Sequence, residues 1–204
     1  MEKTIWNLWN VENYLSNKIL AFILEGQNEI DRISYLKCKL GVESIVVNLS
    51  KLLFIYTTAL ILNVGFETLI LHLSFLTVRV FAYGEHAGSS FGCIISSILL
   101  FVGFAGLLVG GLLIPESGLL LLQLINLLIL SKYAPGVTSK NPVGSEEKRR
   151  RRRIQAMCSC ILVTAFALCV PVLLIQNLLI VGNFLSSVTV LPVLSKKMTE
   201  ENEK

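Results

Sequence analysis

The stretch Arg79-Val80-Phe81-Ala82-Tyr83-Gly84-Glu85-His86-Ala87-Gly88-Ser89-Ser90-Phe91-Gly92-Cys93 gathers a guanidinium, a carboxylate, an imidazole and a thiol. Cysteine and histidine are the working parts of a thiol protease. The thiolate attacks a carbonyl, and the histidine stabilises it and then protonates the leaving amine. In one continuous helix His86 and Cys93 would share a face yet stand ~10.5 Å apart along the axis. Proton transfer needs hydrogen-bond reach, so a working pair requires the chain to turn between them. Gly88 permits a turn, and serine at Ser89 or Ser90 is a preferred helix cap. With Ser90 as the cap, Phe91, Gly92 and Cys93 open the next helix. Free N–H groups and the helix dipole favour an anion there. Gly92 leaves those amides open to a substrate carbonyl, as part of an oxyanion hole. Gly84 allows the turn that presents His86. Arg79 is expected to support the site by pairing with Glu85 or with a peptide carboxylate.

Other candidates are weaker. Cys38, Cys158, Cys160 and Cys169 read as packing residues, as cysteines in apolar helices usually are. Glu67 and His72 lie in or near an apolar segment and could line a polar cavity. Cys158 and Cys160 are not spaced as a CxxC pair, and His72 and His86 are the only histidines. Those ligands are too few for a zinc site, so no metal or cofactor is expected.

These residues must be held by membrane elements. Of 204 residues, 53% are hydrophobic and only 16% charged, against roughly 25% charged in soluble domains. Between residues 44 and 131 the only acids and bases are Lys51, Glu67, Arg79, Glu85 and Glu116. A soluble domain could not cover so much apolar surface. The net charge of +4 comes from basic residues clustered in one loop and at the ends. Membrane orientation produces that pattern, and nucleic-acid binding is not expected.

The periodicity predicts an all-α integral membrane protein: an N-terminal amphipathic interfacial helix followed by about six transmembrane helices. Ile5, Leu8, Trp9, Leu15, Ile19, Phe22 and Ile23 recur at helical spacing over 3–24, and Trp6, Trp9 and Tyr14 suit a membrane surface. Acids at Glu2 and Glu12 argue against a cleaved signal peptide. Residues 25–43 read as a polar connector with room for a short helix, so 1–43 forms an interfacial region. The membrane domain, 44–194, holds apolar segments at 44–63, 65–83, 92–114, 116–132, 156–176 and 178–194. Residues 195–204 form a tail. Tight hairpins are expected at Asn63 and at Gln176-Asn177. The loop 132–155 carries Lys148, Arg149, Arg150, Arg151, Arg152 and Arg153. By the positive-inside rule it is cytoplasmic, and its charge also suits acidic lipid or an acidic peptide. Parity then puts both termini and the 79–90 segment on the cytoplasmic face.

Arg79, Gly84, His86 and Cys93, at these spacings, resemble the signature of the accessory gene regulator protein B (AgrB) family. Tyr133-Ala134-Pro135, followed by Pro142 and the basic run, resembles that family's central loop, and Leu191-Pro192 resembles its final hairpin. The likeness spans roughly residues 30 to 194. Glu85, standing between Gly84 and His86, is a mild departure that leaves the pair intact. The resemblance implies a membrane cysteine endopeptidase of Gram-positive bacteria that cleaves an AgrD-like propeptide. Such a propeptide has an amphipathic N-terminal part and an acidic C-terminal tail, and its product is a cyclic thiolactone or lactone used in quorum sensing. It also implies a homodimer; Gly106 and Gly110, four apart in one segment, could allow close helix packing or dimerisation. The rival readings are a small-peptide transporter and a non-catalytic membrane subunit. Both predict that removing the Cys93 sulfur leaves peptide processing unaffected.

Overall fold

A computed structural model describes residues 2–25, 31–83, 90–136 and 145–191. Among them the chain is helical, with no named strand. The helices are α1 (Glu2–Leu24), α2 (Arg32–Ile61), α3 (Gly65–Ala82), α4 (Ser90–Ile98), α5 (Phe104–Val109), α6 (Glu116–Tyr133), α7 (Glu146–Cys169) and α8 (Leu173–Val188). A π-helical turn, Leu99–Gly103, joins α4 to α5. Five of these spans are long and apolar enough to cross a bilayer, α4 to α5 counting as one, and α8 is a shorter apolar helix. The protein is an all-α, multi-pass membrane protein. Leu53, Leu60, Leu124, Leu162 and Phe166 point outward, where lipid rather than water is the suitable neighbour.

The centre of the bundle is α8. It packs most extensively against α3, and also against α6 and α7. Gly182 makes the approach to α3 possible: a Cβ there would lie 2.5 Å from the Leu71 carbonyl oxygen. Ser74 Oγ donates to the Leu179 carbonyl across the same contact. The apolar core beside it includes Leu71, Phe75, Phe101, Leu178 and Leu185. In hydrocarbon, buried polar groups must find partners within the protein. Gln123 donates to the Cys160 sulfur at 2.7 Å and Asn126 does so at 3.2 Å, which joins α6 to α7. Asn177 accepts from the Ile114 N–H at 2.8 Å and donates to the Ile114 carbonyl at 3.0 Å, closing the turn between α5 and α6.

Several boundaries differ from the expectations. The polar connector is shorter, because residues 32–43 are already the first turns of α2. The basic run lies on helix rather than in loop: α7 starts at Glu146, capped where Ser145 Oγ accepts from the Lys148 N–H. The final hairpin breaks at Val170, Pro171 and Val172, not at Gln176-Asn177. Proline cannot continue the helical bonding, whereas Gln176 and Asn177 are buried in α8 with their amides bonded. The third apolar segment leaves helix at Gly110 rather than at residue 114, and Gly111 takes a φ of +96°. The hairpin at Asn63 is present, with that residue at φ +55°.

Candidate active site

Cys93 lies in the first turn of α4, three residues after its first residue, Ser90. That start is within one residue of the expected one. Its side chain is half-buried, and its carbonyl accepts from Ser96 Oγ at 3.1 Å. The next residue, Ile94, is buried, and α4 leans on α2. Gly92 precedes Cys93 on the same first turn of α4. Gly84, Glu85 and His86 lie outside the described residues, as does the side chain of Ser90.

Arg79 occupies the last turn of α3, where a cation complements the helix dipole. Its Nη1 donates to the Tyr83 carbonyl at 3.0 Å and to Thr189 Oγ1 at the end of α8. Its guanidinium also stands 5.9 Å from the centre of the Phe75 ring. The role this gives Arg79 is therefore partly that of a clasp between α3 and α8.

Tyr83 is a conformationally constrained residue that the sequence did not reveal. It follows α3 with φ +55° and ψ −157°, a conformation that costs a non-glycine residue about 1–3 kcal/mol. Contacts from three directions hold it. The Gly136 N–H donates to the Ala82 carbonyl at 2.8 Å, making an isolated bridge between Tyr83 and Gly136. Arg79 holds its carbonyl. The Arg152 guanidinium lies 5.5 Å from its ring centre, within cation–π range. Arg153 Nε donates to the Ala134 carbonyl at 2.8 Å. The Tyr133-Ala134-Pro135 loop thus docks against the end of α3, with Ala134 and Pro135 buried. Apart from Arg79, the partners of Tyr83 are Gly136 and Arg152, far away in sequence, so no local signal marks it.

The basic run does not share one environment. Lys148, Arg149, Arg150 and Arg151 are exposed, whereas Arg152 and Arg153 are half-buried at the junction just described. His72 and Glu67 both lie on α3. His72 is buried in α3, its Nδ1 3.2 Å from the Tyr56 hydroxyl and its ring 4.3 Å from that of Phe101. Glu67 is half-buried in the first turn of α3. Of the remaining cysteines, Cys160 is in the core, Cys38 packs beside Leu20, and Cys158 and Cys169 face outward.

The family model for accessory gene regulator B matches residues 16–192. An accessory gene regulator protein B of Staphylococcus aureus (strain MW2) is 36% identical over 189 residues, covering 91% of this chain and 98% of that protein. That of Staphylococcus carnosus (strain TM300) is 33% identical over 195 residues, 94% of this chain and 100% of the relative. That of Staphylococcus epidermidis is 34% identical over 178 residues, 87% and 90% respectively. No solved structure matches.

Proposed function

The chain belongs to the accessory gene regulator B family, and on that footing we propose that it is a membrane cysteine endopeptidase. Its substrate is an AgrD-like quorum-sensing propeptide, from which it removes the C-terminal tail and promotes cyclisation. The observation that carries this reading is the place of Cys93 in the first turn of α4, directly after the segment that contains His86. The site lies at the cytoplasmic face, with both termini on the same side.

The peptide lies on the membrane surface through its amphipathic part. Its acidic tail is drawn to the basic start of α7, where Lys148, Arg149, Arg150 and Arg151 are exposed. His86 takes the proton of the Cys93 thiol, and the thiolate attacks the scissile carbonyl. The oxyanion is held by backbone amides near Gly92. The carbon–nitrogen bond breaks, the tail leaves as an amine protonated by His86, and a thioester joins the peptide to Cys93. An internal thiol or hydroxyl of the peptide then attacks the thioester. The Cys93 sulfur–carbon bond breaks, the ring bond forms, and the proton returns through His86 to Cys93. Water competes for the thioester and would give a linear acid. Holding the internal nucleophile close is worth effective molarities of ~10^5 M or more, which favours the ring.

The test is co-expression with the propeptide and mass spectrometry of fragments and cyclic product. Cys93→Ala and His86→Ala are expected to abolish both at normal membrane levels. Unchanged cleavage in Cys93→Ala would end the peptidase reading and leave transport or a non-catalytic role.

A further inference from the structure

The two inward-facing arginines of the basic run have a task distinct from binding the acidic tail. We propose that Arg152 and Arg153 are positioning residues, which fix the junction at Tyr83 from which the chain runs on to His86. The inference rests on the reading of Cys93 and His86 as the reacting pair.

Arg153 Nε holds the Ala134 carbonyl at 2.8 Å. Two residues on, the Gly136 N–H holds the Ala82 carbonyl at 2.8 Å. Arg152 covers the ring of Tyr83, the next residue after Ala82. This relay runs from the start of α7, through the 134–136 turn, to the end of α3. It ends on a residue whose backbone angles, φ +55° and ψ −157°, persist only where the surroundings over-determine them. The ψ of Tyr83 sets the direction in which the chain leaves for Gly84, and His86 follows three residues after Tyr83. Both guanidiniums are committed to these contacts, whereas their four neighbours on α7 are exposed. A charge recruited only to attract an acidic tail has no need of either contact. A histidine that must reach the Cys93 thiol needs a fixed point of departure, since proton transfer tolerates little misplacement.

The full chain is reconstituted in vesicles of phosphatidylglycerol and phosphatidylcholine. Alkylation of Cys93 by iodoacetamide is followed across a pH series by peptide-resolved mass spectrometry, with His86→Ala setting the scale for an unassisted thiol. Propeptide cleavage is measured in parallel, with an acidic tail and with the same tail amidated. Arg153→Ala should slow neutral-pH alkylation and kcat by about 10-fold, part of the ~10^2–10^4 that proton transfer contributes. KM should stay unchanged, and the loss should be the same for both tails. Arg153→Lys, which keeps a donor, should recover part of the rate. Tyr83→Gly covers the case in which Arg153→Ala fails to fold. Glycine takes these backbone angles without strain, so that variant loses only the ring and the restraint, and it should show the same loss of alkylation. Unchanged alkylation with a KM that rises only for the acidic tail would overturn the proposal and make both arginines tail-binding residues. Unchanged alkylation and kcat would overturn it outright. If His86→Ala leaves Cys93 alkylation untouched, the Cys93–His86 reading itself fails, and the positioning role falls with it.

Discussion

At Gly182 the α3–α8 contact leaves no room for a side chain. An added Cβ would meet the Leu71 carbonyl oxygen at 2.5 Å and the Ser74 Cβ at 2.9 Å, and two packed helices cannot both give way. Gly182→Ala is expected to cost about 1–3 kcal/mol, the range for overpacked cores, read as a shift in detergent-induced unfolding. Asn177→Leu should cost a similar amount, about 1–3 kcal/mol, because it strands the Ile114 N–H and carbonyl. Sequence reading drew attention to Gly106 and Gly110 instead. A Cβ at Gly106 would meet nothing within 4 Å, and one at Gly110 would meet only carbonyls one turn back. Among the described residues, neither glycine is needed for packing. Glycine is common in membrane helices, so its presence alone does not say which one a neighbouring backbone touches.

At the scale of the element, apolar runs marked where helices are buried in the membrane but not where they begin. Helical hydrogen bonding continues beyond the hydrocarbon as long as the backbone has partners, so α2 and α7 project polar turns past their apolar stretches. The start of α7 did have a local signal: a serine followed by Glu146 and Glu147, a cap with acids in the first turn. Ser145→Ala should cost about 0.5–2 kcal/mol of local stability and show as faster amide exchange over residues 146–149. The last hairpin was misplaced because Gln176-Asn177 looks like a turn in an apolar context. Here both amides are internal staples, and Pro171 supplies the break.

For the whole molecule, helix class and approximate segment count were legible because a bilayer demands long apolar runs. The position of Cys93 near the start of a helix was also legible, from Ser90 and Gly92. The junction that joins Tyr83, Gly136, Arg152, Arg153 and Thr189 was not. It depends on parts of the chain far apart in sequence that meet only after packing. Charge distribution is a property of this same scale. If the four exposed basic residues at one end of α7 capture the acidic tail as proposed, that capture should be screened by salt. KM for the acidic-tailed propeptide should rise steeply with ionic strength as the Debye length shrinks below ~10 Å, while that for the amidated tail should change little.

The central position of α8 has a consequence for biosynthesis. Chains emerge from the ribosome N-terminus first, so α3, α6 and α7 enter the membrane before their shared partner exists. Through that interval Gly182's seat on α3 is empty, and Ser74 lacks the Leu179 carbonyl to which it donates in the finished bundle. At 16 residues, with Gln176, Asn177, Asn183, Ser186 and Ser187 buried along it, α8 is poorly suited to reside in lipid alone and is received by helices already in place. The bundle therefore lacks its central helix until α8 arrives. Nonsense mutations or fusions that disturb α8 should be cleared by membrane quality control, even though every residue from α1 to α7 has been made.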